Sequence, residues 1–508
     1  MSENYSKSRI LKNSVFLYGR MLITVWLNLY TTRLTLANLG VEDLGVYGVV
    51  GSLVSVFAVF SGGITNAVQR FITYEIGRKG QVNTVFCSSL NIIFLLSAII
   101  FLLLEGGGLW FLNHKLNIPA ESLSAAFWVF QLSVLTCIVN LISVPYNALI
   151  IAHEKMNVFA YISILQVLLT CGAAYSLSFF PDHRLVIYAV AMAVVSILIR
   201  LLYQWYCHAR FAEAVYHLTI DKAVWKEIGK FAGISSVSGI LQVAASQGLV
   251  FVVNMVFGVA LNAVYNIANQ LKNSIMSFSL NLFKAIAPQI TKTYANGEME
   301  SHKKMIYAGC KLEIYLFLVI MIPFLFRTHY IMSLWLGEVP PYAVEFVKAT
   351  VFVGLMFSAF EPIRTAVMAT GHITKFMLYP YLFYLIVLPV SYILGVATDS
   401  PVWMIGGIVI VEILLCLVQI YYASRVTVIT MQEWAKRIFL PGLIVALGAS
   451  AICYLLTRVT DETIGGLILL VGLNTLGLIG GVYMIGLSCE EKKLVNRMLS
   501  RFFRKLMS

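Results

Sequence analysis

Long apolar runs separated by short polar segments repeat along the whole sequence. A bilayer's hydrocarbon core, about 30 Å thick, is crossed by roughly 20 apolar residues in helical conformation. This pattern predicts an all-α membrane protein, because helices satisfy their own backbone hydrogen bonds inside lipid. About fourteen transmembrane helices are predicted, near residues 14–36, 44–66, 85–112, 123–151, 157–180, 185–206, 229–257, 262–287, 306–326, 343–370, 375–397, 401–423, 437–457 and 463–487.

The basic residues lie mostly in alternate connecting segments. If the N-terminus is inside, 24 of the 36 Lys and Arg fall on that side, counting Lys230, Lys375 and Arg437 at the inner edges of their spans. Four fall on the other side, and the remaining eight lie within spans. Cytoplasmic segments of membrane proteins carry an excess of Lys and Arg, so both termini are predicted to be cytoplasmic. The basic, amphipathic tail at 489–508 is expected to lie on the anionic inner leaflet.

Composition supports a lipid-facing surface. Hydrophobic residues make up 59% of the 508 and charged residues only 12%, whereas soluble domains carry roughly 25% charged residues. The net charge of +12 follows from the basic inside segments, so it indicates topology and not nucleic-acid binding. The eight cysteines are scattered singly, without metal-ligand or redox spacing.

Weak internal similarity indicates a repeat. Gln69–Tyr74 resembles Gln289–Tyr294 in the second half of the chain. Pro145 near the end of span four and Pro362 near the end of span ten are separated by nearly the same offset, and they are predicted to mark matched helix breaks. Two lobes of six spans each would insert in the same orientation, as a parallel repeat with the substrate path at the lobe interface. Chance similarity between two apolar segments is the alternative. The predicted parts are an N-terminal lobe at 1–206, a cytoplasmic linker at 207–228, a C-terminal lobe at 229–424, two additional helices at 425–488 and the tail.

Three spans carry polar stripes at helical spacing. Packing of neighbouring helices explains isolated Ser or Thr, but a run of asparagines that ends in a cation favours a water-filled cavity. The stripes comprise Arg20, Thr24, Asn28, Thr31 and Thr35 in span one, Ser235, Gly239, Gln242 and Ser246 in span seven, and Asn262, Asn266, Asn269, Asn273, Ser277, Asn281 and Lys284 in span eight.

The charges within the spans are mainly positive, which predicts a cavity for an anionic group such as a phosphate or diphosphate. Few acids are expected near these cations. Glu361 and Glu412 lie deep within spans, Glu313 is expected near an interface, and Glu361 can pair with Arg364 three residues later. Arg33 is expected only to extend its charge to the bilayer surface. The candidate substrate-binding residues are Arg20, Asn28, Gln242, Asn266, Lys272, Asn273, Lys284 and Arg364.

Motifs for chemistry are missing from the sequence. There is no phosphate-binding loop, no outward loop with paired acids or with Arg and His, and no His-rich cluster. We therefore expect no catalytic residues, no metal and no cofactor, and a transporter in place of an enzyme.

The N-terminal stretch resembles the polysaccharide and O-antigen flippases of the multidrug/oligosaccharidyl-lipid/polysaccharide (MOP) exporter superfamily. The resemblance lies in Asn13-Ser14, Leu39-Gly40, the segment 43–48 and the segment from Gly62-Gly63 to Gln69-Arg70. It implies two lobes that alternate between inward-open and outward-open states in the bacterial inner membrane. It also implies a cationic cavity for an undecaprenyl-diphosphate-linked oligosaccharide, with Arg20 and the lysines of span eight as its cations.

The resemblance further implies coupling to a proton or sodium gradient, for which Glu361 and Glu412 are candidates, and an association with the polysaccharide polymerase and glycosyltransferases of the same pathway. Two other classes of transporter are alternatives to a polysaccharide or O-antigen flippase. A lipid II flippase of peptidoglycan synthesis would share the helix number and the cationic cavity. A cation-coupled multidrug exporter is less consistent, because spans one and seven carry no acids in their cores.

Overall fold

The computed structural model describes residues 2–57, 68–69, 71–73, 75–76, 80–153, 155–218, 221–283, 286–370, 373–488, 491–493 and 496. In these ranges all regular structure is helical. The α-helices are α1 (Ser2–Ser55), α2 (Val82–Leu103), α3 (Leu109–His114), α4 (Leu123–Ala152), α5 (Met156–Ser176), α6 (Arg184–Arg210), α7 (Lys222–Phe283), α8 (Ala287–Ala295), α9 (Met299–Phe326), α10 (Thr328–Leu336), α11 (Ala343–Ala359), α12 (Glu361–Thr370), α13 (Ile373–Tyr384), α14 (Val387–Thr398), α15 (Pro401–Ser424), α16 (Met431–Trp434), α17 (Leu440–Val459) and α18 (Ile464–Gly481).

Eleven helical segments in the described ranges are long and apolar enough to cross a membrane. The chain is thus an all-α, multi-pass membrane protein. The count of about fourteen stays a prediction, partly because much of predicted span two, 44–66, lies outside the described residues. Segment Leu241–Phe283, with 43 residues, counts once among the eleven. A straight helix of that length would measure about 65 Å, roughly twice the hydrocarbon thickness.

Two glycines break the longest helices. Gly40 in α1 has φ 76° and ψ 177°, and Gly258 in α7 has φ 79° and ψ −172°. These angles lie in a region that L side chains rarely adopt, so glycine is required at both turns. The separation of Gly40 and Gly258 along the chain matches the offset of the predicted repeat.

The two matched prolines are not matched breaks, contrary to the sequence prediction. Pro362 is the second residue of α12, which begins after a break at Phe360. Pro145 instead lies inside the continuous helix α4. A proline at a helix start loses no hydrogen bond, whereas one inside a helix removes the bond to the carbonyl four residues earlier.

The first of two compact units comprises residues 1–270, 335–343 and 381–408. In this unit α4 packs along α6, and α1 packs along α5. The Trp335 indole N–H donates to the carbonyl of Leu29 at 2.7 Å. Part of the predicted linker also folds onto this unit, because the Asn83 amide donates to the carbonyls of Glu213 and Val215 at 2.8 and 2.7 Å.

The second unit comprises residues 271–334, 344–380 and 409–508. Helix α9 packs against α8, α12 and α17, and α17 packs along α18. Its apolar core includes Phe283, Ile306, Phe360, Ile363 and Ile420. The predicted lobe boundaries remain predictions.

Candidate functional site

Arg20 lies on α1 against α5, within the first unit. Its Nη1 donates to the Ser163 hydroxyl at 3.5 Å, and its Cζ lies 4.9 Å from the centre of the Phe159 ring. Among the described residues, its buried Nε has no hydrogen-bond partner and its guanidinium pairs with no carboxylate. A charge within a membrane is costly unless it is compensated. Arg20 is therefore well suited to receive an anionic group.

Three amides of the predicted stripes also belong to the first unit. Asn28 and Gln242 are partly buried. Asn266 packs against Gly48, where an added Cβ would lie 2.0 Å from the asparagine Nδ2. This Nδ2 is buried without a partner among the described residues, as are both amide atoms of Asn262 one turn earlier. The first half of the span-eight stripe therefore lies at a close helix contact.

Lys272 and Asn273 belong to the second unit, and Asn273 is exposed. The Lys272 stem packs on α11, because its Cγ lies 2.9 Å from where a Cβ on Gly354 would stand. Its ammonium interacts electrostatically with Glu412 of α15. Glu412, one of the few acids expected within spans, therefore lies near Lys272. Lys284 lies outside the described residues.

Arg364 and Glu361 form the ion pair that their spacing predicted. The Glu361 Oε2 accepts from Arg364 Nε at 2.9 Å and lies 2.8 Å from Nη2. Nη2 also donates to the carbonyl of Phe357 at 2.5 Å, and the guanidinium lies 4.0 Å from that ring's centre. This charge is thus compensated within α11 and α12, so a role for Arg364 in binding substrate stays a prediction.

Glu313 is a buried acid that the sequence reasoning placed near an interface. It is fully buried in α9, accepts a hydrogen bond from the Ser279 hydroxyl, and interacts with the charges of Glu361 and Arg364. Its Oε1 has no partner in the described chain. Helix α9 begins at Met299, before the predicted start of the span at 306, so Glu313 lies near the middle of its helix.

The second unit thus contains several charged side chains that interact electrostatically: the acids Glu313, Glu361 and Glu412 and the cations Lys272 and Arg364. Glu412 and Arg364 both interact with the Cys416 thiol, and Glu313 and Arg364 with the Cys310 thiol. A buried carboxylate beside a hydroxyl can take up a proton or a small cation. The described residues contain no group of three or more His, Cys, Asp or Glu that could hold a metal ion. The seven described cysteines are free thiols.

Solved structures similar to this chain are transporters and a flippase. The lipid II flippase MurJ, in an inward closed conformation, aligns with a TM-score of 0.72 at 13% identity over 93% of this chain and 99% of its own. The chain has the fold of MOP-superfamily exporters. An inward-facing multidrug resistance MATE transporter of that superfamily aligns with a TM-score of 0.64 at 15% identity, over 81% of this chain and 97% of its own.

An outward-facing MATE transporter aligns with a TM-score of 0.55 at 16% identity, covering 82% of this chain and 95% of its own. No family profile matches the sequence, and no curated protein matches it. At such identities the likeness concerns the fold alone.

Proposed function

We propose that this protein is a flippase. It moves an undecaprenyl-diphosphate-linked oligosaccharide repeat unit from the cytoplasmic to the outer leaflet of the bacterial inner membrane by alternating access. Arg20, together with Asn28 and Gln242 of the same unit, contacts the diphosphate and the first sugars. The lipid tail stays in the bilayer.

The observation that carries the proposal is the uncompensated guanidinium of Arg20. Lys272 and Arg364 each interact with a carboxylate, whereas among the described residues the contacts of Arg20 are with a hydroxyl, an aromatic ring and the phenol of Tyr203. An arginine binds a phosphate through two parallel hydrogen bonds. A diphosphate would supply the countercharge that the described protein does not. An exporter of cationic drugs would gain nothing from this residue.

Lipid II is the second candidate substrate. The MurJ fold covers 93% of this chain, whereas the MATE folds cover 81–82%. Lipid II is also an anionic, lipid-linked saccharide, so Arg20 would serve both substrates equally. The two are separated by complementation. We expect this gene to restore surface glycan to cells that lack their O-antigen flippase, and not to restore growth to cells depleted of their lipid II flippase.

A gradient drives the cycle in this proposal, and the buried acids of the second unit are where a proton or sodium ion would bind. Glu313 joins Glu361 and Glu412 as a candidate. Its exposure is near zero, its Oε1 is unpartnered among the described residues, and a hydroxyl donates to its other oxygen. Glu361 is less suited, since its Oε2 already accepts a hydrogen bond from Arg364 Nε and lies 2.8 Å from Nη2 of the same guanidinium.

Substitution of Arg20 tests the binding role. Arg20→Ala should reduce surface glycan at unchanged protein level, Arg20→Glu should reduce it further, and Arg20→Lys should restore it only in part, because a lysine cannot form the paired hydrogen bonds. Arg33 on the same helix is the matched control: it is exposed, and Arg33→Lys should leave export normal. Full glycan export by Arg20→Ala would contradict the proposal.

A further inference from the structure

A cavity of about 280 Å³, partly open to its surroundings, lies in the first unit between α4, α6 and the part of α1 that follows Gly40. Its polar lining consists of Tyr47, Ser55, Ser133, Thr136, Cys137 and Asn140. Apolar side chains, including Val54, Leu141 and Met192, form the rest of the described lining, and none of the described lining residues is charged. Ser133, Thr136 and Asn140 recur at helical spacing on α4, a span whose polar residues the sequence reasoning left unused.

Half of the polar lining has unused hydrogen-bonding capacity. The hydroxyls of Ser55 and Thr136 donate to carbonyls of their own helices, at 3.0 and 2.8 Å. The Tyr47 hydroxyl, the Ser133 hydroxyl and the Asn140 amide have no such partner among the described residues. Polar groups in a membrane-embedded helix are costly unless something hydrogen-bonds them. The cavity is therefore built to hold a hydrogen-bonding occupant.

The side chains that line the cavity favour one class of ligand. The Tyr47 ring is held against Tyr188, with ring centres 4.9 Å apart at 58°, so it presents a fixed aromatic surface. A sugar ring combines hydroxyls at its rim with an apolar C–H face, which suits an amide and two hydroxyls beside an aromatic ring and aliphatic side chains. A charged sugar would lose its hydration here without gaining a countercharge. The volume lies near the lower end of small-molecule pockets, roughly 300–1,000 Å³, so it fits one sugar unit.

We propose that this cavity is a binding site for a single uncharged sugar ring, with Asn140, Ser133 and Tyr47 as its hydrogen-bonding groups. Its role rests on the proposed function: the site would hold one neutral sugar of the transported glycan, apart from the diphosphate at Arg20. It would make these three residues determinants of which glycans are carried.

A native thiol reports on the cavity. Cys137 lines it and is partly exposed, whereas Cys171 on α5 is also partly exposed but does not line it. The full-length protein, in lipid nanodiscs, is treated with a small maleimide, and labelling of both cysteines is followed by mass spectrometry. Glucose, galactose and N-acetylglucosamine are the neutral probes, and glucuronate and glucosamine the charged ones.

A neutral sugar should slow the labelling of Cys137 and leave that of Cys171 unchanged. With the sugar at about twice its Kd, mass action predicts about threefold protection. Asn140→Ala and Tyr47→Leu should abolish the protection. Ser143→Ala is the matched control for Ser133→Ala, because Ser143 is on the same helix and its hydroxyl already donates to the Val139 carbonyl at 2.8 Å.

Several results would overturn the inference. These are no protection by any neutral sugar, equal protection by glucuronate, protection by an alkyl chain but not by sugars, or protection that survives Asn140→Ala and Tyr47→Leu. Each concerns binding of a free sugar and requires no transport. If no neutral sugar protects Cys137 but the protein flips a lipid-linked oligosaccharide normally, the sugar site is excluded and the proposed function is not. Protection without such flipping would keep the site and contradict the proposed function.

Discussion

Glu361→Gln separates a structural from an ion-coupling role for this acid. The Arg364 side chain is 7% exposed and that of Glu361 33%. Removing one partner of a buried ion pair costs about 3–5 kcal/mol, whereas an exposed pair is worth about 0–1 kcal/mol. Because Glu361 is one-third exposed and a glutamine can still accept one hydrogen bond, we expect a loss of about 2 kcal/mol in the free energy of unfolding.

The measurement is a double-mutant cycle by equilibrium unfolding in mixed micelles, with Glu361→Gln, Arg364→Met and the double variant. The double variant should lose less than the sum of the single ones, because it leaves no buried charge unpaired. Flipping is measured on the same samples. Wild-type stability of Glu361→Gln would refute the assignment of Glu361 as the countercharge of Arg364. Restored flipping in the double variant would assign Glu361 a purely structural role.

Three further predictions test other contacts. Gly45→Ala should lower the free energy of unfolding by about 1–3 kcal/mol, because a Cβ would stand 1.9 Å from a backbone oxygen of α7. Gly51→Ala is the control: Gly51 lies on the same helix and faces open space, so this variant should not lose stability. Equal melting temperatures of the two variants would contradict this packing. Glu313→Gln should uncouple flipping from the imposed gradient while the protein stays folded. Unchanged coupling would exclude Glu313 as the residue that binds the coupling ion. Burial by itself would raise the pKa of Glu491, but hydrogen bonds from Lys311 at 2.7 Å and from a backbone N–H hold it below its ordinary value. Its stabilising contribution is therefore complete above about pH 4.3 and is lost as the pH falls through the lower folded pKa; protease resistance of the tail against pH should show this loss, and Glu491→Gln should remove it.

The features of the structure that the sequence predicted depend on short-range sequence patterns. The breaks at Gly40 and Gly258 fall in the short gaps between predicted spans, because a turn there needs glycine. The pair of Glu361 with Arg364 was predictable, since three residues along a helix bring two side chains to one face. Hydropathy and helical spacing are properties of residues close together in the sequence, and these features depend only on such residues.

Contacts between distant residues could not be predicted in this way. Glu412 and Lys272 lie on helices far apart in the chain, and no helical period relates them. Glu313 is buried because other helices cover it, which hydropathy along its own helix does not record. The cavity beside Asn140 forms where three helices meet. A neutral polar side chain in one span gave no sign of it, because such residues also serve ordinary helix packing.

Flipping by the purified protein is the decisive measurement for the proposed function. The protein is reconstituted in liposomes with an undecaprenyl-diphosphate-linked oligosaccharide on one side, and a membrane-impermeant glycosidase reports the oligosaccharide that reaches the other. We predict gradient-dependent transfer that Arg20→Ala reduces and Arg33→Lys does not. Transfer that is equally fast with Arg20→Ala, or efflux of cationic drugs without any transfer of the lipid-linked oligosaccharide, would contradict the account.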